Sequence, residues 1–320
     1  MTAKAWQPES GGTLCLLGGT GFVGSRLAAH LAARGWSLRL PTRDPARVRH
    51  LKVLPNARLL RADVHDPATL GQLVAGCDAV INLVGILNEA GYDGSGFRRA
   101  HTELTEKVVA ACQAADVPKL VQISALQADV KAPSHYLRSK GAAEAAIVEA
   151  TDLRWTILQP SVIFGPGDSF LNRFADLLGL LPLALPLARP GSRFAPVHID
   201  DVVKAVDVCL HDGATDARTF ELCGGEIYSL RELVQLIAQA TGRRRWIIGL
   251  PDWAARLQAR VMERLPGKLF TMDNYRSLGL PSVCRSNGLE ELGLTPRSLQ
   301  LNLRASLGLP QEPAGSRQRA

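Results

Sequence analysis

The chain has 320 residues, 46% of them hydrophobic and 21% charged, with a formal net charge of +7 at pH 7. This describes a soluble globular protein with one large or two modest domains, not a disordered or fibrous one, and the absence of helix-turn-helix, zinc-finger and RNP-type patterns argues against nucleic acid as the partner of the positive charge. Six cysteines (Cys15, Cys77, Cys112, Cys209, Cys223, Cys284) lie scattered with no Cys-x-x-Cys pair, which argues against a zinc site and a disulfide framework and suits a reducing compartment.

In chain order, Lys4 stands alone before the first apolar run at 14–17, too short for the apolar core of a secretory signal. From residue 13 to about 160, short apolar runs alternate with amphipathic stretches. Strands are predicted at 13–17, 37–41, 57–61, 79–83, 120–124 and 155–159, and helices at 22–34, 45–51, 67–75, 96–115 and 136–150. Asp44-Pro45 and Asp66-Pro67 open two of these helices. Each Asp can accept free amide hydrogens, and each Pro suits the first helical position. The alternation implies right-handed crossovers and a parallel sheet, hence a doubly wound α/β domain over 11–160.

After Pro160, Pro and Gly become frequent, and 161–309 reads as a smaller, partly interleaved substrate lobe with a capping box at Ser229-Leu-Arg-Glu232. The longest uncharged apolar run, 177–188, is interrupted by Pro182 and Pro186 and is shorter than a bilayer span. The Pro-, Gln- and Ser-rich tail, 310–320, reads as disordered.

Within the first unit, Leu14-Cys-Leu-Leu-Gly18-Gly19-Thr20-Gly21-Phe22-Val23-Gly24 reads strand, tight turn, helix. Gly18 permits the turn, Gly21 lets backbone approach a pyrophosphate, and Gly24 lets the helix pack on the strand. The phosphates then meet the helix N-terminus, which makes the domain Rossmann-type with a nicotinamide dinucleotide as cofactor. Thr20, Phe22 and Val23 complete the turn. At the end of the second strand, where a carboxylate would hold a ribose 2′-hydroxyl, the chain has Thr42 and Arg43. A guanidinium there suits a 2′-phosphate, so NADP(H) is preferred and NAD(H) is the alternative. Asp63 and Val64 are expected to flank the adenine. Leu83, Val84 and Gly85 end the fourth strand beside the cofactor, with Pro160 and Val162 after the sixth.

Tyr136-Leu-Arg-Ser-Lys140 places Tyr136 and Lys140 on one helix face, and Ser124 ends the preceding strand. In this trio Lys140 lowers the phenol's pKa by its charge and holds the nicotinamide ribose, Tyr136 exchanges a proton with a carbonyl or alcohol, and Ser124 fixes that oxygen. With the glycine turn, this set resembles the extended, atypical short-chain dehydrogenase/reductase family over roughly residues 13 to 305. Gln159-Pro-Ser-Val-Ile-Phe-Gly165-Pro166-Gly167-Asp168 and Phe194-Ala-Pro-Val197-His-Ile-Asp-Asp201-Val extend the likeness. Asn82-Leu-Val-Gly85, Phe164-Gly165 and Leu250-Pro251…Leu265-Pro266…Phe270-Thr271 point to the branch containing the nucleotide-binding accessory subunit of respiratory complex I.

The resemblance implies either an oxidoreductase acting on a carbonyl or alcohol, or a module that holds NADPH without turnover. One departure bears on this choice. Where the family carries an Asn that supports a proton-relay water, this chain has His101, either a substitute for it or a packed helix histidine.

Finally, 253–265 has Trp253, Leu257, Val261 and Leu265 beside a row of Arg256, Arg260 and Arg264. Such a helix either packs on its own domain or lies in a lipid interface. The uncharged 177–187 loop is a second element that could cap a pocket or dip into lipid, and a lipid-like substrate such as a quinone or isoprenoid would explain both. The expected location is cytoplasmic, with peripheral attachment to the inner face of a membrane left open.

Overall fold

The computed structural model describes residues 11–310. The tail expected to be disordered lies, apart from Pro310, outside the described residues, as does Lys4. Seven strands form one parallel sheet: β1 (Thr13–Leu17), β2 (Ser37–Thr42), β3 (Ala57–Arg61), β4 (Ala79–Asn82), β5 (Lys119–Ile123), β6 (Arg154–Pro160) and β7 (Arg218–Leu222). Their order is β7-β6-β5-β4-β1-β2-β3. The order reverses between β1 and β4, which opens a crevice at their carboxyl ends.

Both faces of the sheet are covered, so each strand is apolar on both sides. Leu14 and Leu16 point to the side packed by α1 (Phe22–Ala33), together with Val202 and Val206 from the second lobe. Cys15 and Leu17 point the other way, toward α2 (Pro67–Val74), α3 (Leu104–Ala114) and α4 (His135–Val148). The Asp66 carboxylate accepts Thr69 N at 2.9 Å, so that Asp-Pro pair opens α2 as expected.

The second lobe enters this sheet. β7 pairs with β6 from Arg218↔Thr156 to Leu222↔Pro160, adding a seventh strand to the six read from the N-terminal half. Buried Lys119, at the start of β5, bonds the Asp216 carboxylate and donates to Thr156 Oγ1 at 3.0 Å, which ties down the turn before β7. A separate core joins α5 (Leu171–Leu180) to α7 (Leu230–Ala240) through Leu171, Leu178, Leu233 and Ile237. Between them in sequence, α6 (Ile199–His211) packs on the sheet, and α8 (Asp252–Met262) follows α7. The capping box at Ser229 and Glu232 forms at the start of α7.

Several local expectations are corrected. Residues 45–48 form turns followed by a 3-10 helix, Arg49–Val53, in place of the helix at 45–51. Asp44 Oδ1 closes a turn on Ala46 N at 3.1 Å and caps no helix. Leu51 is the one buried residue of that 3-10 helix, too little burial to offset helix nucleation. The helix expected over 96–115 opens as a single turn, Ser95–Phe97, and widens into a π-helical turn, Arg98–Glu103, before α3 begins. The 177–187 loop is in fact the end of α5 and a short strand, Ala184–Leu187, paired with Trp246–Gly249.

The cysteine reading is corrected as well. Cys223 and Cys284 form a disulfide, while the other four are free and buried. Sixty-one residues separate the pair, so spacing alone conceals it; the fold brings the end of β7 beside the segment around Ser282, with Cα atoms 5.9 Å apart. A loop of this length predicts stabilisation of up to about 4 kcal/mol by the loop-entropy relation. Cys284→Ser should therefore melt below the parent, and reductant should lower the parent alone. Equal melting of all samples by calorimetry would contradict the assignment.

Candidate functional site

The glycine turn lies at the carboxyl end of β1. Gly18 has φ +78°, and a Cβ there would stand 3.0 Å from the carbonyl carbon of Leu83. A Cβ on Gly24 would run into the Gly18 carbonyl oxygen. Both positions therefore require glycine for close backbone approach. Gly21 caps α1 in extended conformation, and the first turn carries no acidic residue. The amides and positive dipole end of α1 are thus left for an anion, and the cradle fits a dinucleotide pyrophosphate.

A cavity of about 470 Å³ opens against this turn. It brings together Gly18, Gly21, Phe22, Val23 and Gly24 with Leu83, Gly85, Pro160 and Val162, and also Ser124, Tyr136 and Lys140. Thr20, Arg43, Asp63, Val64 and Val84 are not among its lining residues. Arg43 is exposed just beyond β2, and Asp63 is exposed just beyond β3, where its Oδ1 accepts His65 N at 3.0 Å. The two strand ends are neighbours, since Ala62 N donates to Thr42 O at 3.1 Å. Val64 packs on the core beneath α2 and α3, and Val84 N donates to Asn82 Oδ1 at 3.2 Å.

Ser124 follows β5, is 5% exposed, and its hydroxyl has no hydrogen-bond partner among the described residues. A buried hydroxyl on a cavity wall normally finds a partner, so this one is available to a ligand oxygen. Lys140 Nζ, also buried, donates to Ile123 O at 3.0 Å. Burial lowers its pKa to about 8, and the Glu144 carboxylate opposes that shift.

Burial alone pushes the Tyr136 phenol up to about 12. Lys140 does not lower it here, which corrects the sequence expectation; the ammonium is turned to the Ile123 carbonyl instead.

Three positioning residues escaped the sequence reading. Ser134 Oγ caps α4 by accepting Leu137 N at 3.2 Å. The Asp273 carboxylate, from the second lobe, accepts His135 N at 2.6 Å and Tyr136 N at 3.1 Å. The first-turn amides that would otherwise lack partners are therefore filled from across the site, with a negative charge at the positive helix end. Glu144, one turn beyond Lys140, accepts Gln159 Nε2 at 2.9 Å. Burial pushes its carboxyl up, opposed by the neighbouring Ser124 hydroxyl, by Gln159 and by Lys140. No hydrogen bond of ordinary geometry joins Glu144 to Ser124. The i+4 spacing from Lys140 was the available signal for Glu144; Asp273, 137 residues from Tyr136, offered none.

His101 occupies the π-helical turn, its ring edge-on to Tyr136 at 5.5 Å between centroids. Its Nδ1 meets Ser139 Oγ at 2.8 Å and its Nε2 accepts Ile86 N at 3.1 Å. With both nitrogens engaged, the ring is neutral, carries its proton on Nδ1, and acts as a packed helix histidine. Burial first, then the charge of Lys140, lowers its pKa to about 2.

The fold and this site define an NAD(P)H-binding protein of the extended short-chain dehydrogenase/reductase type, and the chain belongs to that family. Residues 18–167 match the family described as NAD(P)H-binding. The chain is 28% identical to the Arabidopsis thaliana protein named NADH dehydrogenase [ubiquinone] 1 alpha subcomplex subunit 9, mitochondrial, over 91% of this chain and 76% of that one. It is 30% identical to the ceramide reductase of Caulobacter vibrioides, over 76% of this chain and 75% of that one. Its fold matches the UDP-glucose 4-epimerase of Thermus thermophilus in complex with NAD, with a TM-score of 0.72 and 21% identity, covering 92% and 98% of the two chains.

The depressed His101 pKa fixes the sign of one pH effect. Below about 6.5 the unfolded chain takes up this proton while the folded ring stays neutral, so stability falls as pH falls, by up to about 1.4 kcal/mol per unit. In urea titrations between pH 6 and 4, His101→Asn should show a shallower loss of stability than the parent, whatever its stability at pH 7. Parallel curves would refute the buried neutral ring.

Proposed function

We propose that this chain is an NADPH-dependent oxidoreductase that interconverts a carbonyl and an alcohol on a lipid- or quinone-like substrate. The carrying observation is that the unpartnered Ser124 hydroxyl shares one cavity with Tyr136, Lys140 and the glycine turn. Leu87, Phe170, Phe194 and Leu280 give that cavity apolar walls, which suits a hydrophobic substrate with one polar group at the reacting end. The likeness to a protein named ceramide reductase supports the same substrate class.

NADPH, held by the glycine turn, would supply the hydride for the carbonyl carbon. The Ser124 hydroxyl donates to the carbonyl oxygen and holds it. Tyr136 delivers the proton that completes the alcohol, and Lys140, once its ammonium leaves the Ile123 carbonyl, would hold the nicotinamide ribose and stabilise the phenolate left behind.

Arg43 at the end of β2, with Thr42 in place of a carboxylate, supports NADPH over NADH. A second reading is a module that holds NADPH without turnover. The raised Tyr136 phenol, the turn of Lys140 toward Ile123 and the likeness to a complex I subunit favour it.

Carbonyl and quinone screening with NADPH separates the two readings. On the enzyme reading, Tyr136→Phe abolishes turnover and leaves cofactor affinity intact. Reduction also declines as pH rises through about 8, where Lys140 loses its charge. NADPH that remains bound, unreacted and necessary for a high melting temperature would establish the module. By calorimetry NADPH should bind more tightly than NADH, and Arg43→Ala should narrow the gap; equal affinities in the parent would remove the preference.

A further inference from the structure

The second lobe presents an apolar surface that its own core does not use. On α8 the buried residues are Ala255 and Ala259, which pack on Ala188 and Tyr275. The row of Trp253, Leu257 and Val261, which the sequence offered either as a packing face or for a lipid interface, lies on the opposite side and is 71%, 55% and 52% exposed. Small residues let the helix sit close to the lobe while its large apolar side chains stay outside. Gln258 Nε2 donates to Pro186 O at 3.2 Å, holding α8 alongside the paired strands Ala184–Leu187 and Trp246–Gly249. Trp246 and Leu183 extend the same surface, 78% and 77% exposed.

Positive charge rims this patch. Arg243, Arg244 and Arg245 line an open groove with Leu183 and Trp246. Arg243 bonds the Ala175 carbonyl, and Arg245 donates to Leu181 O at 2.7 Å. Arg264, in the turn that follows α8, donates to Arg260 O at 2.6 Å. Among the described residues, none of Arg243, Arg244, Arg245, Arg260 and Arg264 has a carboxylate partner. Two acids near α8 are engaged elsewhere: Asp252 pairs with Arg256 at 2.7 Å, and Glu263 accepts Met272 N at 3.1 Å. Exposed Asp176, next to the Ala175 carbonyl that Arg243 bonds, forms no ion pair among the described residues. Arg256 is thereby withdrawn from the row in which the sequence placed it.

The patch also reaches the cavity mouth. Beyond α8, Lys268 O accepts Asn88 Nδ2 at 2.9 Å, next to Leu87, which is 55% exposed and lines the cavity.

From this arrangement we propose that the face formed by α8 and the Trp246–Gly249 strand docks on an anionic lipid bilayer. Trp246, Trp253 and their aliphatic neighbours enter the interface, and the five arginines meet lipid phosphates. Among the described residues no helix is long and apolar enough to cross a membrane, so the contact is peripheral. Two tryptophans beside uncompensated arginines match the apolar body and charged head groups of such an interface, and an anionic surface supplies the counter-charge that the protein lacks. This surface is present whether or not the cavity turns over substrate.

The test is co-sedimentation of the full chain with vesicles of phosphatidylcholine containing 30% phosphatidylglycerol, at low and high salt. The parent should pellet at low salt and be released at high salt, because the charges are screened within a Debye length. Arg260→Gln with Arg264→Gln should weaken binding roughly five-fold per charge removed. Trp253→Ser with Leu257→Ser should weaken it at low salt, while Val53→Ser, at an exposed site outside the patch, should bind as the parent does. Melting temperatures near the parent's establish that each variant is folded. A parent that stays in the supernatant at low salt overturns the proposal, as does a serine variant that binds like the parent. Self-association by light scattering that the serine variant abolishes, without vesicle binding, would assign the face to a second copy of the chain.

Discussion

The contact on which the rest depends is backbone against backbone. Between Gly18 and Gly24 the chain leaves β1, turns and enters α1 with no side chain separating the helix from the turn, and Gly18 itself sits against Leu83 at the end of β4. A methyl group at Gly24 would push α1 off the turn, and one at Gly18 would push β1 from β4. That closeness puts the free amides of α1 over the crevice where the strand order reverses. It therefore determines where an anion can bind, and so on which side of the sheet the cavity opens.

Ser124, Tyr136 and Lys140 of that cavity come from the segment after β5 and from α4, and α4 depends on the second lobe for its position. Asp273 reaches the N-terminus of α4 and accepts the His135 and Tyr136 amides. Elsewhere Asp200, at the start of α6, pairs with Arg26 of α1 at 2.6 Å and also with Arg297. The lobes are thus joined by charges at helix ends, where an unmet amide or an unmet dipole makes a carboxylate most useful. β7, donated to the sheet from beyond residue 160, makes the same connection in backbone hydrogen bonds.

Around the cavity, several polar groups are already committed. Lys140 has Ile123 O, Glu144 has Gln159, and His101 uses both ring nitrogens. Ser124, buried in the cavity wall without a partner among the described residues, leaves a hydroxyl available to a ligand oxygen. His101 buttresses Tyr136 edge-on and is held neutral by burial, so it contributes shape to the site and no movable charge.

The sequence alone determined what depends on neighbours in the chain. Apolar runs alternating with amphipathic ones gave the six N-terminal strands. The glycine spacing gave the turn, and the four-residue spacing of Tyr136 and Lys140 put both on one face of α4. Wherever the deciding partner lay far along the chain, the local pattern misled or was silent. The segment at 45–51 carried good helix-start chemistry but had too little core beside it to hold a helix. Cys223 and Cys284 looked like isolated thiols until β7 joined the sheet. The large side chains on α8 looked like its packing face, but the lobe accepted only Ala255 and Ala259, and Asp252 took Arg256 out of the basic row. Asp273 carried no signal at all. Backbone conformation is set largely by short-range sterics and hydrogen bonds, which a sequence displays directly. Which face is buried, which charge is paired and which thiols meet are set by three-dimensional proximity, and that exists only once the sheet has assembled.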